Sequence, residues 1–113
     1  VYKYNENVKT VEYQKARDLR NELTDLVKLT CQSESTCKSL ALGHKACGGP
    51  SSYLIYSTEL TNEELLSSKV YQYNEYILYL QNKYEAGYAS TCSFIQSPTL
   101  SCVNNLCQGS ESY

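Results

Sequence analysis

Six cysteines, one histidine and a small group of glutamates are the side chains in this 113-residue sequence best suited to chemistry. The cysteines are Cys31, Cys37, Cys47, Cys92, Cys102 and Cys107. A thiolate metal site needs close pairs of the C-x2-C type, and none occurs, so no metal is expected. An even cysteine count in a small domain instead predicts disulfides and an oxidising compartment. His44 has no G-x-S-x-G elbow to serve and no thiol left free by bridging, and reads as a loop or strand residue. Glu59, Glu63 and Glu64 cluster at the start of a helix, where acids favour the positive end of the dipole. Cys47-Gly48-Gly49-Pro50 lacks the helix and lysine of a phosphate cradle and reads as a turn. With no nucleophile, base, metal or cofactor signature, the sequence predicts a protein that is not an enzyme and carries no cofactor.

Composition narrows the classes further. Net charge is -2, with both signs interspersed and only 19% charged residues, which gives no footprint for nucleic acid. No apolar run reaches the roughly 18 residues of a membrane span. The chain contains no Met and starts at Val1, which implies that an initiator or leader was removed. There is no Asn-x-Ser/Thr sequon, so a bacterial periplasm or surface fits at least as well as a glycosylated secreted setting.

The elements that must position these residues follow α-β-β-α-β-β. Residues 1–7 read as an arm, 8–108 as one domain and 109–113 as a tail. A first helix is expected over Val8 to Leu29, with Val8, Val11, Ala16, Leu19, Leu23, Leu26 and Val27 as its apolar stripe. Glu12–Lys15 and Asp25–Lys28 are spaced as i,i+3 pairs. Leu40 and Leu42 mark a strand that Gly43 ends, and Ser52 to Ser57 is a second strand, together a hairpin. Leu60 to Gly87 is the strongest element. Thr61 and Glu64 are placed for a capping box, Leu60 and Leu65 for a hydrophobic staple, and Gly87 for the C-cap. Leu66, Val70, Tyr73, Ile77, Leu80 and Tyr84 form its core stripe. Asn104-Asn105 predicts a two-residue hairpin in which Cys102 and Cys107 face each other. The fold class expected is α+β: a small antiparallel sheet of three or four short strands on a long helix and an N-terminal helix, stapled by disulfides. Cys47–Cys92 is the favoured link. Of the other four, local closure (Cys31–Cys37, Cys102–Cys107) is slightly favoured over cross-linking of the two pairs, and both stay open.

Twelve tyrosines are the one excess with a functional reading. Tyr76 and Tyr79 flank the core stripe of the long helix, while Tyr71 and Leu78 lie on nearly the opposite side. A helix apolar on two sides is either sandwiched in a core or offers a face to a partner. Tyrosine suits an interface because it buries large area at little entropy cost. Tyr71, Leu78 and Tyr79 are therefore the candidate partner-binding residues.

The stretch CKSLALGHKACGGPSSYLIYS, preceded by the C-x5-C pair, resembles a pattern of small bacterial envelope proteins and lipoproteins. Cys31, Cys37, Gly43, Cys47, Gly48, Gly49, Pro50, Tyr53 and Ser57 carry it, joined by Ser90 to Cys92 and Cys102 to Cys107. The resemblance implies export to the periplasm, outer membrane or cell surface, with membrane attachment through a lipid anchor upstream of Val1. The function expected is that of a protein-binding accessory or subunit of a surface assembly, self-association included. The alternative is a secreted inhibitor of a protease or cell-wall hydrolase, presenting a pinned loop to an active site.

Overall fold

The computed structural model describes residues 6–45, 48–84 and 95–110. They form α1 (Glu6–Leu26), one 3-10 turn (Glu34–Thr36), β1 (Cys37–Leu42), β2 (Ser52–Ser57), α2 (Glu63–Tyr84), β3 (Thr99–Val103) and β4 (Leu106–Ser110). The α+β order stands, with the four antiparallel strands arranged as two separate hairpins, β1–β2 and β3–β4. Cys47, Cys92 and Gly87 lie outside the described residues, and with them the expected Cys47–Cys92 link and the Gly87 cap.

Helix α1 ends three residues earlier than its apolar pattern suggests. Val27 N–H bonds to Thr24 O, and residues 28–31 then run extended. Other elements take up the backbone groups released there. Ser57 N–H donates to Lys28 O, Cys107 N–H to Leu29 O, and Cys31 N–H to Asn105 O. Thr30 bridges to Leu106, so this strip adds a third, short edge beside the second hairpin. A polar backbone with such partners gains nothing by staying helical.

Helix α2 begins one residue later than expected at its cap. Asn62, not Thr61, is the N-cap: its Oδ1 accepts Leu65 N–H at 3.1 Å. Thr61 is diverted to the α1 exit, where its hydroxyl accepts Lys28 N–H and donates to Lys28 O. Leu60 and Leu65 are both exposed, so no staple forms. Most of the core stripe holds: Leu66, Val70, Tyr73 and Leu80 are buried and Ile77 packs on the cluster of Leu66, Val70 and Tyr73, while Tyr84 is only half-buried and gives its hydroxyl to Glu12.

The two helices run antiparallel, with Lys69 meeting Glu22 at one end and Lys83 meeting Glu12 at the other. Their shared seam, Leu23 against Leu66, Val70 and Tyr73, closes over Leu42 and Tyr56 of the first hairpin. Leu40 and Leu54, cross-strand partners, pack on the same cluster. Asn74 locks the helix to the hairpin. Its Oδ1 accepts Gly43 N–H at 2.7 Å, and its amide donates to Ala41 O at 3.1 Å. Gly43 sits at φ +75° with Ser51 Oγ where a Cβ would stand, so the end of β1 requires glycine.

The second hairpin turns at Asn104 (φ 52°) and Asn105 (φ 63°), both left-handed, as a type I′ turn demands. It lies against β2 closely enough that a Cβ on Gly109 would meet Ile55 and Pro98. The Asn74 clamp makes a direct prediction. Asn74→Ala should cost about 1–3 kcal/mol, chiefly by stranding the N–H of buried Gly43. Urea unfolding checks it, and an unchanged midpoint would show that the clamp carries no stability.

Candidate functional site

The four described cysteines, Cys31, Cys37, Cys102 and Cys107, come together where the two hairpins and the α1 exit meet. Cys102 and Cys107 are directly opposed across β3 and β4 and project to one face. Cys31 and Cys37 approach that face from the other side, and the bonds formed are Cys31–Cys102 and Cys37–Cys107. Local closure, favoured from spacing, is thus overturned in favour of cross-linking. The backbone decides this outcome. Cys31 N–H on Asn105 O and Cys107 N–H on Leu29 O lay the Cys31 strip alongside the second hairpin, in register for the cross-links. The cross-links span 71 and 70 residues, which on the loop-closure scale is worth about 4 kcal/mol each against about 2 for a local loop. Cys31, Cys37 and Cys107 have sulfurs within 4.8 Å of one another. All three are committed to disulfides, so this is a packed core rather than a thiolate metal site, and Ile55 and Leu100 cover it.

The other chemical candidates are absorbed by structure. His44 is half-buried and its carbonyl oxygen accepts from Gln81 Nε2. Glu63 pairs with Lys38 at 3.5 Å, and Glu59 accepts Gln32 N–H. Glu64 is exposed in the first turn of α2. Gly48 and Gly49 take positive φ within a turn closed by Lys45, as the glycine-proline signal implies.

What stays open is the outer surface of the helix pair. Tyr71 is 66% exposed, Tyr79 44% and Leu78 38%. Tyr71 and Leu78 share the side of α2 turned away from the core, while Tyr79 borders a groove between the helices. Two adjoining depressions of about 470 and 500 Å³ make up this groove. Lys15, Tyr76 and Tyr79 line both, Val11 and Glu12 one end, and Leu19, Tyr71, Gln72 and Glu75 the other. Tyr76 and Tyr79 stack with ring centroids 5.5 Å apart. The structure thus brings Tyr71 and Tyr79 to one groove and leaves Leu78 on the adjoining face.

Charge is fixed at one end of the groove. Lys83 Nζ lies 2.7 Å from Glu12 Oε1 and 3.1 Å from the Tyr79 hydroxyl, and the Tyr84 hydroxyl also donates to Glu12. The expected Glu12–Lys15 pair is replaced by this contact with α2, and Lys15 instead rests over the Tyr76 ring at 4.9 Å. The lysine and the two tyrosine hydroxyls hold the Glu12 carboxyl down from 4.5 to about 2, while Glu12 raises Lys83. Burial, followed by the bond to Glu12, raises the Tyr84 hydroxyl. Spacing pairs Glu12 with Lys15 and leaves Lys83 unassigned, because an i,i+3 rule sees one helix at a time. The lysine at the end of one helix and the glutamate near the start of the other were the available signal.

Among the described residues no helix is long and apolar enough to cross a membrane. Comparison of the chain with protein-family models, with curated proteins and with solved structures finds no match.

The Glu12 network has a pH signature. The folded carboxyl titrates below its ordinary value, so ionised Glu12 favours the fold above about pH 4.5 and this contribution is lost as the pH falls through about 2. Thermal unfolding of Glu12→Gln should therefore fall less steeply than wild type over that window. Parallel profiles would show that Glu12 gains nothing from Lys83 and Tyr84.

Proposed function

We propose that this chain is a non-enzymatic, disulfide-stapled domain of a bacterial cell envelope that binds another protein through the outer side of α2. The observation that carries the reading is Tyr71, exposed to two thirds of its surface beside Tyr79 and Leu78 on a helix whose opposite face fills the core. Large aromatic side chains left in water on a rigid helix are costly surface for a monomer and favourable anchors for a partner. Antiparallel packing against α1 and the Asn74 clamp fix the helix, so binding them orders little that is not ordered already. Two disulfides are compatible with an oxidising compartment, which supports export.

The test separates fold from binding. Substituting Tyr71 and Leu78 together by Ser should move the thermal midpoint little, because both side chains are exposed. Cross-linking in envelope extracts should recover a partner with wild type and lose it with the double variant. Retention of the same partner at equal yield would contradict the proposed face.

A further inference from the structure

Three aromatic rings near the groove already hold a cation, and the cation comes from the chain itself. Lys15 lies over Tyr76 at 4.9 Å, Lys83 over Tyr79 at 5.5 Å, and Lys83 and Lys9 over Tyr84 at 5.3 and 5.4 Å. Glu12, the carboxylate at that end, is neutralised by Lys83. One turn toward the other end the pattern changes. Among the described residues, Tyr71, the most exposed of the large apolar or aromatic side chains on α2, has no ring or cation contact, and Glu75 forms no ion pair or hydrogen bond. Tyr71, Glu75 and Tyr79 follow at i, i+4 and i+8, which places their Cβ atoms about 5–6 Å apart from turn to turn. A carboxylate thus stands between two tyrosine rings along one line of the helix. Lys15, the nearest lysine of α1 on this groove, is drawn across to Tyr76 and does not fill the place.

Building on the protein-binding reading above, we infer that the Tyr71–Glu75–Tyr79 row receives an arginine or lysine side chain of the partner protein. A guanidinium or ammonium laid on the Tyr71 ring comes within reach of Glu75, so one group satisfies both the ring face and the carboxylate. Charge complementarity selects the occupant. The row offers one unneutralised negative charge and the open ring of Tyr71, with Tyr79 already engaged by Lys83 and Tyr76 at its far end, which suits a cation with an apolar stem. An acidic partner would meet Glu75 unfavourably. A second copy of this chain, whose Arg20 and Lys28 side chains make no ion pair among the described residues, is the competing occupant that sedimentation distinguishes.

A displayed random-peptide library selected against the wild-type protein tests this directly. Selected peptides that lose binding to Tyr71→Ser should carry a basic residue. Replacing that arginine by citrulline should weaken binding on the order of 3-fold or more to wild type. The same replacement should matter little to Glu75→Gln, whose own binding of the arginine peptide is weakened by a similar factor. Peptides that depend on Tyr71 but are indifferent to citrulline or to Glu75→Gln overturn the cation site and leave the protein-binding face standing. Peptides that all ignore Tyr71→Ser, or self-association through Tyr71 seen by sedimentation, overturn the hetero-partner reading itself.

Discussion

Residues 28 to 31 leave α1 with backbone groups that the helix no longer satisfies, and their partners come from β2, from the start of α2 and from the β3–β4 hairpin. Lys28 is held by Ser57 at the end of β2 and by the hydroxyl of Thr61 at the start of α2. Leu29 and Cys31 are held by the β3–β4 hairpin on either side of its turn. One short strip therefore sets where three elements sit. The helix pair can close over the first hairpin only because α1 stops where it does. The second hairpin has a docking edge only because the strip is extended.

The two halves of the molecule solve the burial problem differently. Beneath the helices, Leu23, Leu66 and Val70 pack with Tyr56, Tyr73 and Leu42 into an ordinary apolar cluster. Under the second hairpin the core consists of cysteine sulfur with Ile55 and Leu100 at its margin. A hairpin of that size buries too little to stand alone, and covalent links compensate for the missing area. This division leaves α2 free on its outer side. Both the core and the staples lie behind it or at its ends, so its Tyr71 and Leu78 side has no internal duty.

Period and turn chemistry made much of the fold legible in the sequence. The four-and-three spacing of Leu66, Val70, Tyr73 and Leu80 marked the buried stripe, and Asn104-Asn105 marked the turn, because both signals are local. The errors fall where distant segments compete for the same group. Thr61 looks like a cap until Lys28 claims its hydroxyl, and Asn62 then takes over. Glu12 looks like a partner for Lys15 until Lys83 arrives from the far end of the other helix. Local cysteine pairing looks favourable until the α1 exit lays Cys31 beside Asn105. The exposed tyrosines were visible as an excess and as an angle on a helical wheel. The groove beside them was not, because it exists only between two helices.

The arrangement rests on the strip and hairpin being joined by sulfur across the molecule, and disulfide mapping tests that join. Cleavage after Glu34, Lys38, Phe94 and Leu106 places Cys31, Cys37, Cys102 and Cys107 each on a peptide with no other cysteine. Under non-reducing conditions, digestion at all four positions followed by mass spectrometry should yield one peptide pair joining Cys31 to Cys102 and another joining Cys37 to Cys107. Recovery of Cys31 joined to Cys37, or of Cys102 joined to Cys107, would contradict the structure described for this protein.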